Sequence, residues 1–171
     1  PLCDGAALAG LRLAYTWLPT VVAEPTNIEA RGAMLAASCL GGISFLKGLG
    51  LVHAISHMVG AEYDTQHGLT NAIILPAALQ FNAPAIQHKI KPMAQAMGLD
   101  DTSFDSFYAA ICELLDKVDI PTRLTDIGVP TDNTNQIAAR ALRDVAATTN
   151  PRSLTNSEVE AVLKQSLITG R

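Results

Sequence analysis

Three of the four histidines in this 171-residue chain fall within one short stretch, residues 50–68, with the sequence GLVHAISHMVGAEYDTQHG. His53 and His57 are four residues apart, so on a helix they project from the same face. His67 follows after a turn-like segment, and a chain reversal there would return it to that face. Neutral imidazole is the commonest metal ligand, and three imidazoles within reach suit zinc or iron. The stretch predicts a metal or catalytic site, for which spacing alone nominates His53 and His57.

A second interpretation of this stretch stays open. Two histidines at helical spacing in an apolar segment are often hydrogen-bonded core residues without a catalytic role. Burying several imidazoles without partners is costly, however, and the neighbouring sequence offers few partners apart from a metal. Glu62 and Asp64 in the turn are candidate carboxylate ligands or supporting groups. The fourth histidine, His88, lies among polar residues and is predicted to be solvated.

Composition excludes several function classes. Lys and Arg total 12 against 16 Asp and Glu, and no basic stripe is present, so nucleic acid is not an expected partner. The cysteines Cys3, Cys39 and Cys112 are far apart and form no Cys-x-x-Cys pair, which favours a reducing, cytoplasmic setting. They are predicted to be small hydrophobic residues of the core. The most membrane-like stretch, AMLAASCLGGISFL, is shorter than the ~20 residues that a span needs, so no membrane is expected.

The elements that must position the histidines are all helical. The chain is rich in Ala and Leu and poor in aromatic residues, and no segment shows clean strand alternation. We predict an all-α domain over residues 1–171 with seven to nine helices. One helix, from Leu51 to about Glu62, carries His53 and His57, and His67 starts the next.

Several boundaries follow from local signals. Asp4 is a candidate N-cap for the first helix, which is expected to end or kink at Pro19. The second helix, apolar nearly all round from Ala33 to Leu46, is predicted to be central and buried. The helix after His67 is expected to be interrupted at Pro76 and broken at Asn82-Ala83-Pro84. Near the C-terminus, Thr155 and Glu158 have the spacing of a capping box.

The histidine stretch has a family resemblance. The segment GLGLVHAISHMVGAEYDTQHGLTNAIILPAALQFN resembles the signature of the iron-containing (group III) alcohol dehydrogenases. The flanking segments LAGLRLAYTWLPTVV, ARGAMLAASCLGGISF, IPTRLTDIGVP and ATTNPRSLTNSEVEAVLKQ also look like family sequence. The resemblance covers essentially the whole chain.

The resemblance implies a C-terminal, helical, metal-binding domain of the iron-containing alcohol dehydrogenase and dehydroquinate synthase-like fold. The N-terminal nucleotide-binding α/β domain would be missing from this chain. In the family, an Asp and a His one helical turn apart hold the metal with two further histidines. The first pair should lie upstream of this chain, and the second pair matches His53 and His67. His57 matches a histidine beside the site, a candidate for proton relay or substrate contact. Gln66 and Ala77 replace residues that are commonly Pro and His in relatives.

The implied function is hydride transfer between an alcohol and NAD or NADP, with Fe²⁺ as the metal and Zn²⁺ as the alternative. The expected partners are a small alcohol or aldehyde, the missing nucleotide-binding domain and, at full length, further copies in a homo-oligomer. The chain by itself should be inactive, since it lacks two metal ligands and a nucleotide site. Two rival functions remain: a reductase relative that uses no metal, and a non-catalytic helical interaction domain.

Overall fold

The computed structural model describes all 171 residues and contains seven α-helices and no β-strand. They are α1 (Leu2–Ala23), α2 (Ile28–Ser44), α3 (Leu51–Tyr63), α4 (His67–Ala96), α5 (Phe104–Lys117), α6 (Thr134–Ala141) and α7 (Asn156–Lys164). Short 3₁₀ segments cover Phe45–Lys47, Leu124–Ile127 and Val145–Thr149, and a π turn covers Gln165–Thr169. The all-α prediction is confirmed, as is the position of His67 at the first residue of a helix.

The chain forms two compact units. The first contains residues 1–47 and 87–118, and the second contains residues 48–86 and 119–171. Helix α4 begins in the second unit and ends in the first. All three clustered histidines belong to the second unit, which therefore carries the candidate site.

In the first unit, α1 packs against α2 through small residues. A Cβ atom at Gly10 would lie 3.3 Å from the Ala37 carbonyl oxygen, so a side chain there would fit only tightly against α2. The prediction that α2 is buried is wrong, because only Ala30 and Ala37 are buried and Leu35 is 74% exposed. Small residues on one face of α2 pack against α1. Apolar residues on the other face, such as Leu35, remain exposed to solvent. Cys39 is also exposed, contrary to its predicted core position.

Proline does not end the helices where the sequence predicts it. Helix α1 runs through Pro19 to Ala23, and α4 runs unbroken through Pro76 and Pro84. Pro76 is itself almost completely buried, and the core includes its neighbours Ile73, Ile74, Ala77 and Ala78. An interior proline costs about 3 kcal/mol, which burial of a few aliphatic side chains offsets.

The start of α1 also differs from the prediction. The helix begins at Leu2, so Asp4 lies in its first turn rather than at the N-cap. Its carboxylate pairs with Lys47 at 2.8 Å and with Lys89 at 3.4 Å.

Continuation through the prolines makes two helices long. By length and hydropathy alone, α1 and α4 could each cross a membrane, and α2 together with α3 could form one broken span. The sequence-based expectation considered only the α2 stretch. A third of the most apolar 18-residue stretch of α4 is buried within the protein.

The second unit packs around the first part of α4 together with α3, α6 and α7. Its core contains Leu51, Ala54, Ile55, Val59, Ile73, Ile74, Ala77, Ala78, Leu124, Val129, Ile137, Ala138, Ala141, Ala146, Val159, Val162, Leu163 and Leu167. The predicted capping box is confirmed: the Glu158 amide donates to Thr155 Oγ1 at 3.3 Å, and the Thr155 amide donates to Glu158 Oε2 at 2.9 Å. Helix α3 ends at Tyr63, one residue beyond the predicted end.

Candidate metal centre

A tight turn brings the three histidines together. Helix α3 is capped by the next residue, Asp64, which adopts a left-handed conformation (φ 52°) and donates its amide to the Gly60 carbonyl at 3.0 Å. Three residues later α4 begins at His67. The ring centroids of His53 and His57 are 5.8 Å apart, and the His67 ring lies 5.3 Å and 5.4 Å from them. The predicted chain reversal is thus present in the structure.

Two imidazole nitrogens from different helices point to one place. The amide nitrogen of Asn71, one turn after His67 on α4, lies 3.3 Å from His53 Nε2 and 3.0 Å from His67 Nε2. A side-chain amide nitrogen only donates, so both Nε2 atoms carry a lone pair directed toward it. This is the neutral tautomer that a metal-ligating histidine needs. His53 and His67, rather than the same-face pair, therefore present converging lone pairs.

Ser56 supports the same tautomer of His67. Its Oγ lies 3.3 Å from His67 Nδ1 and 3.5 Å from the His67 carbonyl oxygen. When the hydroxyl donates to the carbonyl, its oxygen accepts from Nδ1–H and Nε2 is left unprotonated. Ser56 is 1% exposed, so this bond is shielded from water. A partner on the non-ligating nitrogen is the usual means of orienting a ligand histidine.

Burial makes His53 suitable for the same role. Desolvation lowers its pKa, and the neighbouring His67 and His57 rings lower it further, against an opposing effect of Asp144. The ring is consequently neutral at neutral pH and keeps a lone pair for a cation.

The amide of Asn71 also has a polar atom without a partner. Its Oδ1 is buried and has no hydrogen-bond partner. An orphaned buried oxygen beside two imidazole lone pairs fits a site that accepts a cation, because a carbonyl oxygen is attracted to positive charge.

The ligand set within this chain is incomplete. No group of three or more His, Cys, Asp or Glu residues is arranged to hold a metal ion by itself. Glu62 is ion-paired with Arg140 at 2.6 Å, and Asp64 is an exposed helix cap, so neither supplies the missing ligands. Two nitrogens are half of a tetrahedral set.

His57 has a different environment from the other two histidines. Its Nδ1 lies 3.0 Å from Asp144 Oδ2, and its ring stacks on that of His67 with an interplanar angle of 16°. The His57 side chain is 33% exposed and that of Asp144 is 12% exposed. A partly exposed imidazole bonded to a carboxylate can exchange protons with solvent while its orientation stays fixed.

The segment from Asp144 to Arg152 holds the start of α3. The Gly50 amide donates to the Ala146 carbonyl at 3.0 Å, the Leu49 amide to Thr149 Oγ1 at 3.1 Å, and the Leu51 amide to Asn150 Oδ1 at 3.2 Å. These three bonds span about a hundred residues of sequence and fix the helix that carries His53 and His57.

Sequence reasoning missed Ser56, Asn71 and Asp144. Asn71 follows His67 at helical spacing and carried a detectable signal, since residues four apart share a face. Asp144 lies 87 residues from His57, and no local pattern links them. His88 is exposed, as predicted.

The fold and the three clustered histidines define an all-α domain with a candidate metal centre, and comparison with known proteins names the family. The profile described as Fe-containing alcohol dehydrogenase family, C-terminal, matches residues 1–167. The chain belongs to the iron-containing alcohol dehydrogenase family, an oxidoreductase family, and corresponds to its C-terminal part.

Individual relatives agree with this assignment. The chain is 36% identical to 1,3-propanediol dehydrogenase of Klebsiella pneumoniae, with 96% of this chain and 44% of the relative aligned. It is 33% identical to NAD-dependent methanol dehydrogenase of Bacillus methanolicus, over 98% and 46% of the two chains. The crystal structure of a 1,3-propanediol oxidoreductase superposes with a TM-score of 0.94 at 35% identity, over 98% of this chain and 46% of that one. The chain thus spans less than half the length of these relatives.

Proposed function

We propose that this chain forms the metal-binding part of an NAD(P)-dependent alcohol dehydrogenase, with His53 and His67 as two of the metal ligands. The observation that carries the proposal is the convergence of two Nε2 lone pairs on one point, at 3.3 Å and 3.0 Å from the same amide nitrogen. Imidazole nitrogen suits Fe²⁺ and Zn²⁺. We favour iron because the family is described as iron-containing.

A divalent cation, when bound, acts as a Lewis acid that lowers the pKa of the substrate hydroxyl. His53 and His67 would hold the cation through Nε2, and Ser56 would keep the Nε2 atom of His67 unprotonated. The Asn71 amide, which donates to the same two lone pairs in this structure, would have to yield them to the cation. His57, beside them and partly open to solvent, accepts the hydroxyl proton and passes it to water. NAD or NADP, when bound, would accept the hydride on its nicotinamide ring, and this chain has no glycine-rich phosphate loop for it.

The remaining functional assignments extend this proposal. The nucleotide site belongs to a separate N-terminal α/β domain, so the chain alone is inactive. The substrate is a small alcohol or the corresponding aldehyde, and the full-length enzyme is a cytoplasmic homo-oligomer without nucleic-acid or membrane partners. Support for a protein rather than lipid environment comes from α4, whose residues Ile73, Ile74, Ala77 and Ala78 build the core beside the histidines.

The test is metal content and turnover of variants in the protein at its natural length. Metal is measured by mass spectrometry of the purified protein, and turnover with NAD or NADP and either methanol or 1,3-propanediol, the alcohols in two relatives' names. His53→Ala and His67→Ala should lose metal and turnover together. His57→Ala should retain metal but lower turnover on the order of 10²-fold, the typical contribution of general-base catalysis.

His88→Ala is the matched control, since this exposed histidine also lies on α4. It should keep both metal and turnover. Full metal content after His67→Ala would refute the ligand assignment. A wild-type protein that binds no metal, and whose melting temperature is unchanged by chelator, would instead favour the metal-free reductase or the interaction domain.

A further inference from the structure

We propose that Asp144 is a positioning residue that fixes the tautomer and the rotation of the His57 imidazole. The inference rests on the proposed function, in which His57 accepts the substrate proton. Asp144 does not itself contact the ring nitrogen that accepts the proton.

The tautomer follows from the chemistry of the contact. An ionised carboxylate only accepts hydrogen bonds, so the 3.0 Å contact to Asp144 Oδ2 places a proton on His57 Nδ1. In the neutral ring the lone pair is then on Nε2. With the opposite tautomer, Nε2 would carry a hydrogen and could not accept a proton from the substrate.

The rotation of the ring is restricted by two contacts, one at its edge and one on its face. Asp144 holds the edge at Nδ1, and the His67 ring covers one face at a centroid distance of 5.4 Å. Without the carboxylate, the stacked ring could still turn about its χ2 angle and exchange the positions of its nitrogens. Asp144 removes this freedom, and holding a catalytic group in its reactive geometry raises the rate.

The carboxylate is itself held rigidly. Its Oδ1 accepts the Ala146 amide at 2.8 Å, and the Ala146 carbonyl accepts the Gly50 amide at 3.0 Å. Gly50 immediately precedes α3, so the carboxylate and the helix bearing His57 are joined through this short chain of bonds. Both carboxylate oxygens are therefore committed, one to the backbone and one to the imidazole.

The informative variant is Asp144→Asn in the protein at its natural length. An asparagine side chain can still accept the Ala146 amide through its oxygen, and it then presents its NH₂ group to His57. Nδ1 must become the acceptor, which moves the ring proton to Nε2. We expect kcat to fall on the order of 10²-fold, as for loss of a general base, with KM changed less than about threefold and with metal content unchanged.

A spectroscopic measurement separates positioning from a purely structural role. In protein labelled with ¹⁵N-histidine, with His57 assigned by the signals missing from His57→Gln, the wild type should show a protonated Nδ1 and an unprotonated Nε2. Asp144→Asn should reverse the pattern. Asp144→Ser is the second variant: its hydroxyl can still cap the Ala146 amide but does not reach His57, so kcat should fall while the melting temperature stays close to that of Asp144→Asn.

Each outcome decides the inference. Wild-type kcat in Asp144→Asn, or a reduced kcat with an unreversed ¹⁵N pattern, would overturn it. If Asp144→Asn does not fold, a wild-type kcat in Asp144→Ser would overturn the inference instead. The ¹⁵N pattern is also recorded in metal-free protein, so the two proposals can fail separately. A wild type without metal or turnover would refute the proposed function, and the His57 tautomer in wild type and Asp144→Asn would still test the role of Asp144.

Discussion

Replacing Gly48 by alanine should weaken the fold at the start of α3. Gly48 has φ +97°, a region that favours glycine, and a Cβ atom there would overlap the Cβ, Oγ1 and Cγ2 atoms of Thr149. Thr149 cannot easily move away, because its Oγ1 accepts the Leu49 amide at 3.1 Å and donates to the Ala146 carbonyl at 2.9 Å.

The magnitude follows from three contributions. Positive φ costs a residue with a side chain about 1–2 kcal/mol, and overpacking adds about 1–3 kcal/mol. The reduced entropy of the unfolded chain returns roughly 0.4–1 kcal/mol. Gly48→Ala should therefore lower the free energy of unfolding by about 1–5 kcal/mol, with a central value of about 3 kcal/mol.

Gly128→Ala is the matched control. Gly128 also has positive φ, at +86°, but a Cβ atom there would meet nothing within 4 Å. The same backbone strain without overlap should cost only about 1 kcal/mol. Both variants are measured by urea denaturation of the protein at its natural length, comparing midpoints at equal m-value. Equal destabilisation by the two substitutions would refute the argument that the Thr149 contact makes glycine necessary at position 48.

Two further predictions concern bonds within the second unit. Asn150 accepts from the Leu51 amide and exchanges two hydrogen bonds with Asn82, so Asn150→Ala should cost about 2 kcal/mol in urea denaturation. Thr148→Ala, which loses one exposed bond, should cost no more than about 0.5 kcal/mol, and an equal loss in both would contradict this role for Asn150. Hydrogen bonds from Lys164, Thr134 and Asn135 lower the pKa of Glu160 to about 2, so it stabilises the fold above the unfolded-state value of 4.5 and loses this effect as pH falls toward 2. The wild type should therefore be more stable than Glu160→Gln at pH 7 but not at pH 2, as measured by urea midpoints; a difference independent of pH would exclude the linkage.

Local patterns in the sequence were sufficient to predict an all-α fold and the ends of several helices. The period of apolar residues predicts α3 and the start of α4, and the capping box at Thr155 is confirmed because it needs only residues three apart. The resemblance of the histidine stretch to a family signature was also available from sequence, and the family is confirmed.

The course of α1 and α4 through proline was decided by tertiary structure. Proline lacks an amide hydrogen wherever it occurs, so local signals predict a break at Pro76. Whether the break occurs depends on packing energy, and Pro76 is surrounded by a core drawn from α3, α4, α6 and α7. Burial of α2 failed as a prediction for the related reason that an apolar face does not specify a neighbour.

Within the candidate centre, the sequence determined which residues can act and the fold determined how they are paired. Helical spacing places His53 and His57 on one face, yet the converging nitrogens belong to His53 and His67, because the turn at Asp64 returns the chain. The carboxylate beside His57 comes from position 144, through hydrogen bonds that join α3 to a distant loop. Periodicity describes directions around one helix, whereas the approach of nitrogen to nitrogen or to carboxylate is set by packing between elements distant in sequence.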